Sequence, residues 1–155
     1  MTNYLTKEGL TELSAELKSI TEIKLPDTLE SINKALAEGD VRENSGLDAA
    51  KIERDKLVAR QQEIEEILSN YEIIDEKNAH SSKSVKIGSS VKIQYLSDDS
   101  VYELRIVGNS EADIIENKIS NESPLAQAIL GKTAGQESSF KSRSGNIKVK
   151  VLEIF

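Results

Sequence analysis

The 155-residue chain has no cysteine, no tryptophan, a single histidine and only 4 % aromatic residues. Without thiols it can build no disulfide scaffold, perform no thiol catalysis and hold no Cys-ligated zinc, a usage that fits the cytosol. So few aromatic rings argue against a large aromatic-lined pocket. The one histidine, His80, falls in a polar stretch and reads as an ordinary exposed side chain. There is no apolar run near the ~18 residues that would cross a membrane. Neither a glycine-rich phosphate loop nor a serine with His or Lys at nucleophilic spacing is present. These absences leave a soluble, unprocessed, cytoplasmic protein with no membrane partner.

What is present is charge, unevenly placed. Hydrophobic residues make up 37 % and charged residues 30 %, with a net charge of −7. Residues 1–76 hold 9 Lys and Arg against 18 Asp and Glu, whereas residues 77–155 hold 11 against 9. The acidic first half is a poor candidate for binding free duplexes, because that affinity rests on cations releasing condensed counterions.

The first half has helical spacing. Thr6 can cap a first helix, with Leu5 before the cap and Leu10 inside it forming a hydrophobic staple. Leu10, Leu13, Leu17 and Ile20 step by 3, 4 and 3, and Leu25, Leu29, Ile32 and Leu36 resume that stripe. Between Ile20 and Leu25 the step is 5, with Pro26 alongside, which predicts a kink or short break. A second arm follows: Leu47, Ala50, Arg54, Leu57, Gln61, Ile64, Leu68 and Tyr71 alternate strictly by 3 and 4. Arms of ~30 residues at ~1.5 Å per residue give a rod of about 45 Å, longer than self-stability requires. The expected first domain spans 1–76, with its tip at 39–46.

Residues 77–84 lose periodicity and read as a linker. From 85 to 155 the period becomes two: Val91, Ile93 and Tyr95, then Tyr102, Leu104 and Ile106, with Ser97 to Ser100 as the turn between them. Ile114, Ile115 and Ile119 predict a short further strand. Ser123 as cap and Pro124 in the first turn open a helix that Gly131 closes. Phe140 marks another strand, and Ile147, Val149 and Val151 a last one. The fold class is therefore α+β in two domains, an antiparallel helical coiled-coil hairpin followed by an antiparallel sheet with one short helix.

The tip carries Gly39-Asp40-Val41-Arg42-Glu43-Asn44. Acids three apart also occur at Asp27/Glu30, Glu63/Glu66, Glu72/Asp75 and Asp113/Glu116, so spacing alone does not mark Asp40 and Glu43; their place at the reversal of the arms does. Two carboxylates can share a Mg²⁺, but that ion takes six oxygens, so a site built from this tip needs a partner to complete it. Arg42, Lys51 and Arg54 either touch RNA or phosphate, or pair within the helix with Asp48, Glu53 or Asp55.

Three separated motifs carry a resemblance: Tyr4-Leu5-Thr6-Lys7-Glu8-Gly9, the tip with Ala49-Ala50-Lys51, and Glu111-Ala112-Asp113-Ile114 leading to Ser123-Pro124-Leu125-Ala126 and on to Gly131-Lys132. Together they resemble the Gre family of bacterial transcription elongation factors, of the GreA type, over essentially the whole chain. The resemblance implies a C-terminal domain of FKBP-like topology that docks at the mouth of the RNA polymerase secondary channel. It implies that the coiled coil enters the channel and that Asp40 and Glu43 hold a catalytic Mg²⁺ and its water jointly with the polymerase active site. Cleavage of the backtracked nascent RNA 3′ segment would follow. On that reading the chain is a monomeric co-catalyst with no tightly bound cofactor, and the enzyme is the polymerase. Docking falls on Glu122, Ser123 and Pro124. Where the family has Ala-Glu-Tyr-His after the tip, this chain has Ser45-Gly46-Leu47-Asp48; an aromatic ring is lost at Leu47, and Gly46 costs the helix start ~1 kcal/mol relative to Ala.

Other functions compete with cleavage. A channel plug that binds without supporting cleavage is compatible with the altered residues 45–48. A prolyl isomerase follows only from the implied topology, which does not carry function, and Tyr95, Tyr102, Phe140 and Phe155 are too few for an aromatic proline pocket. A purely structural coiled coil leaves the tip acids unexplained.

Overall fold

The structure, a computed structural model, describes residues 2–38 and 45–155. It divides into two compact units, one spanning Leu10–Asn70 and the other combining the residues up to Gly9 with Tyr71–Phe155. The segment expected as a tip, Gly39 to Asn44, lies outside the described residues. Among those described, no helix is long and apolar enough to cross a membrane.

The first arm runs through α1 (Lys7–Ser19), a five-residue π-helical turn (Ile20–Lys24) and α2 (Leu25–Ala37). The anticipated kink is instead this widened turn. The Leu25 N–H donates to the Ile20 carbonyl, five residues back, so one extra residue is absorbed where the apolar step is 5. The widening also suits Pro26, which has no N–H to give to an α-helical ladder.

Downstream of that turn the buried stripe differs from the expected one. Thr28 and Ile32 are buried and Ala35 half-buried, whereas Leu29 and Leu36 are 50 % and 46 % exposed. Counted from Leu25, the inward residues step 3, 4 and 3, so the phase set by the π turn selects smaller residues at 28 and 35 and leaves the two leucines flanking the seam. The buried Thr28 hydroxyl is satisfied by the Lys24 carbonyl at 2.8 Å, which removes the cost of an unpaired polar group in the seam.

The return arm is α3 (Ser45–Ser69). Leu47, Leu57 and Ile64 are buried, with Ala50, Arg54, Gln61 and Leu68 half-buried between them, following the 3-4 alternation of the sequence. The two polar residues in this seam keep their head groups occupied: Gln61 donates to Glu65 at 3.0 Å and Arg54 pairs with Asp55 at 3.1 Å. Across the hairpin, Arg60 forks onto Glu16, Nε to Oε1 at 2.7 Å and Nη2 to Oε2 at 2.9 Å, while its Nη1 reaches Glu63 at 2.8 Å.

In the other unit, β1 (Asn3–Leu5) and β2 (Tyr71–Ile73) form a parallel pair, with Asn3 opposite Tyr71 and Leu5 opposite Ile73. Neither strand was legible in the sequence, since three residues are too few to show a period. The supposed linker also folds. Residues 77–81 of it belong to α4 (Glu76–Ser81), capped by Asp75, which accepts from the Asn78 N–H at 3.1 Å. Burial of Ala79 and an ion pair from Arg105 to Glu76 hold it in place.

The main sheet contains β3 (Ser90–Tyr95), β4 (Val101–Val107), β5 (Lys118–Ser120), β6 (Glu137–Ser142) and β7 (Gly145–Ile154), in the order β5-β4-β3-β7-β6. It is mixed rather than purely antiparallel, because β5 runs parallel to β4. Ile119 lies in β5 as expected, but Ile114 and Ile115 belong to the turn before it, which returns the chain to the β4 edge. One face packs Val91, Ile93, Ile106, Val149 and Val151 against Ala126 and Ile129 of α5 (Pro124–Ile129). One sheet face, supplied by β3, β4 and β7, and a short amphipathic helix thus close one core.

The Arg60 hydrogen bond, outweighing the opposing effect of burial, holds the Glu16 carboxyl below the ordinary carboxylate range. Both side chains remain more than a third exposed, which limits the pair to about 1 kcal/mol. Because the folded-state pKa is the lower one, this contribution is complete above the unfolded-state value and is lost as pH falls through the folded-state value. Glu16→Gln should therefore lower unfolding free energy by up to about 1 kcal/mol at pH 7. Urea titrations should show the gap closing below about pH 5; a constant gap across the range would rule out the ionic pairing.

Candidate functional site

The residues expected to act fall in three places. Asp40, Arg42 and Glu43, proposed from the sequence for metal holding and RNA contact, lie outside the described residues. Of the neighbouring cations, Lys51 is exposed on α3, and Arg54 is turned onto Asp55 through Nε at 3.2 Å and Nη2 at 3.1 Å, which is the intrahelical alternative. Among the described residues no cluster of three His, Asp or Glu side chains could hold a metal ion.

Leu47, the position at which the resemblance leads one to expect an aromatic ring, is only 1 % exposed. Ser45, Gly46 and Asp48 around it are exposed.

The expected docking segment lies in a well-formed turn. Ser123 caps α5, its Oγ accepting from the Ala126 N–H at 3.2 Å, and Pro124 occupies the first helical turn, where no N–H is needed. Glu122 is exposed and its N–H donates to Ser120 Oγ at 3.1 Å. The Gln127 side chain secures the same turn by donating to the Asn121 carbonyl at 2.6 Å. Next to this segment, on the sheet, lies a cleft of about 640 Å³ lined by Tyr95, Tyr102, Leu104, Ile114, Ile119 and Leu125 among others. The two tyrosine rings meet edge to face at 5.5 Å.

The structure also brings two of the separated sequence motifs together. Thr6 Oγ1 accepts from the Gly9 N–H at 2.9 Å, which is the expected cap of α1. A capping box would place a Glu or Gln at that third position, reaching back to the cap's own N–H. Here the third residue is Gly9, and the carboxylate comes from Glu111: the Thr6 N–H donates to Oε2 at 2.7 Å and the Thr6 hydroxyl to Oε1 at 2.6 Å. A Cβ on Gly9 would fall 2.3 Å from Glu111 Cδ, so the carboxylate occupies the space that glycine leaves. Gly108, just before the turn that carries Glu111, serves the same closure, since a Cβ there would fall 1.7 Å from the Tyr4 carbonyl oxygen. This role of Glu111 was missed in the sequence; the available signal was a Thr cap followed three residues later by Gly in place of Glu.

An antiparallel helical hairpin followed by a five-stranded mixed sheet with a capped short helix defines a two-unit α+β protein. The chain belongs to the GreA/GreB family of transcription elongation factors: the family model described as "Transcription elongation factor, N-terminal" matches residues 3–73, and "Transcription elongation factor, GreA/GreB, C-term" matches residues 80–155. It is 39 % identical to the transcription elongation factor GreA of Mycoplasma mycoides subsp. mycoides, over 97 % of this chain and 96 % of that one. To GreA of Thermoanaerobacter pseudethanolicus it is 41 % identical, over 97 % and 95 %. The GreA factor homolog 1 protein of Thermus thermophilus, a crystal structure, aligns over 100 % of this chain and 99 % of its own at 28 % identity, with a TM-score of 0.46.

Hydrogen bonds to a charged acceptor contribute about 1.5–3 kcal/mol each, and Glu111 accepts two from Thr6, so Glu111→Ala should lower unfolding free energy by about 3 kcal/mol or more. Gly9→Ala should also destabilise the parent by displacing the carboxylate. In the Glu111→Ala background the same change should be neutral or stabilising by up to about 1 kcal/mol, the ordinary helix preference for Ala over Gly. Urea unfolding of the four proteins measures this reversal of sign; additive effects would refute the fit between Gly9 and Glu111.

Proposed function

We infer that this chain acts on RNA polymerase, docking through its C-terminal unit and delivering the hairpin tip through the secondary channel to stimulate cleavage of backtracked nascent RNA. The observation that carries this reading is the match of both family models, in order, over residues 3–73 and 80–155, on a chain whose inter-arm segment contains Asp40 and Glu43. Glu122, Ser123 and Pro124 form the docking segment, presented by the cap of α5.

The donor chemistry suits a shared Mg²⁺. Carboxylate oxygens are the hard ligands this ion prefers, and two carboxylates leave most of an octahedral shell to waters and to groups from elsewhere. When bound, the ion neutralises developing charge and makes its water a better nucleophile at neutral pH. Asp40 and Glu43 would hold it from the tip side, and Arg42 and Lys51 are the nearby candidates for RNA contact. The nascent RNA 3′ end is the substrate, the polymerase supplies the rest of the site, and this chain, acting as a monomer, is its co-catalyst.

Replacing Asp40 or Glu43 by Ala should slow RNA shortening in stalled, backtracked complexes by about 10²-fold, the scale on which one preorganised electrostatic group acts. Binding to polymerase should be retained. If both variants accelerate cleavage as well as the parent, the metal-holding role is wrong. Slowed RNA synthesis by the parent with no cleavage would establish the channel plug instead.

A further inference from the structure

Glu111 is tied to the sheet and to a helix start at once. Its turn, Asn109–Glu111, leaves the end of β4, where Ile106 and Val107 are buried, and its own N–H donates to the Gly108 carbonyl at 3.1 Å. Its carboxylate accepts from the Thr6 N–H at 2.7 Å and from the Thr6 hydroxyl at 2.6 Å, and that hydroxyl oxygen accepts from the Gly9 N–H at 2.9 Å. Leu5, beside the cap, is fully buried, and its carbonyl accepts from the Ile74 N–H at 2.7 Å. A charged acceptor rooted in the sheet thus fastens the first turn of α1.

That turn is where the chain leaves one unit for the other. Residues up to Gly9 belong with Tyr71–Phe155, and Leu10 begins the hairpin unit, yet α1 continues from Lys7 to Ser19 without a break. Gly9 is a weak point in such a helix, since glycine has the most backbone freedom to lose. With glycine there and no carboxylate, the root of the first arm would be a hinge. The arm follows a helical path of about 45 Å at ~1.5 Å per residue, so a change of ~5° at its root moves its far end by about 4 Å. A misplacement of ~1 Å at a reacting group can cost ~10²-fold in rate. Capping by itself does not require a distant residue: a Glu in place of Gly9 would complete the ordinary capping box within the helix. Glu111 satisfies the same N–H from the sheet, and so binds the helix start to it.

We propose that Glu111 is a positioning residue for RNA cleavage. By fastening the first turn of α1 to the unit that carries Glu122, Ser123 and Pro124, it fixes the root of the arm that leads to Asp40 and Glu43. This rests on the cleavage reading above and adds to it a residue that acts through α1 rather than at the metal.

The test measures RNA shortening in backtracked complexes of the protein's own polymerase across a range of factor concentrations. It compares the parent with Glu111→Ala, Glu111→Gln and the double variant Glu111→Ala, Gly9→Ala, each checked for folding by thermal unfolding. For Glu111→Ala the rate at saturating factor should fall at least about tenfold, while the half-saturating concentration stays within about twofold of the parent's. Glu111→Gln keeps the length of the side chain and one acceptor oxygen, so it should remain folded and show the same split with a smaller drop. The double variant should regain stability from the better helix former without regaining the rate. Recovery of the rate together with stability reduces Glu111 to a folding role and overturns the proposal. Saturating rates of both single variants equal to the parent's overturn it too, as does a raised half-saturating concentration with an unchanged saturating rate. In these cases the cleavage reading stands, because the parent shortens RNA; a parent that does not shorten RNA overturns both.

Discussion

The fold of the larger unit depends on a closure between residues more than a hundred positions apart. Glu111 places its carboxylate over the first turn of α1, accepting from both the N–H and the hydroxyl of Thr6, and Gly9 and Gly108 leave the room for it. The same approach sets β1 beside β2, so the first residues of the chain and the segment after Asn70 become parts of one unit. The carboxylate answers an elementary need. A helix start has four N–H groups without intrahelical partners, and a negative group is favoured there by the helix dipole as well.

In the hairpin, the governing constraint is a single seam per arm. On the return arm the 3-4 alternation carries through without interruption from Leu47 to Leu68. On the outward arm one extra residue must be accommodated, and the π turn at Ile20–Lys24 does so without ending the helix. The cost appears further along, where Leu29 and Leu36 leave the seam for Thr28 and Ala35. Smaller seam residues and a cross-arm Arg60–Glu16 fork make this hairpin depend on polar pairing as well as on apolar burial.

The functional chemistry is divided along the chain. The acids that would reach a reactive centre lie between the arms, whereas the sheet unit holds a capped helix, a cleft of mixed polar and apolar lining and two displayed isoleucines. Among the described residues no group of three His, Asp or Glu side chains could hold a metal ion. On the proposed reading such a division is physically reasonable, because docking needs buried apolar area and the delivered group needs only carboxylates.

What is local was legible in the sequence: the stripe of the return arm and that of the outward arm as far as Ile20, the alternation of the main strands, the Thr6 and Ser123 caps, and the motifs that place the chain in its family. Those features repeat every two to four residues, so each is written into its own neighbourhood. Tertiary structure alone decided that Glu111 completes the Thr6 cap, that the stretch after Asp75 folds as α4, that β5 runs parallel to β4, and that Ile114 and Ile115 face solvent. An isoleucine pair favours a strand on propensity alone, so only its surroundings place it in a turn, and a glutamate carries no record of which helix it will cap. Their roles were fixed by which distant backbone came within a hydrogen bond's reach, and no periodicity encodes that.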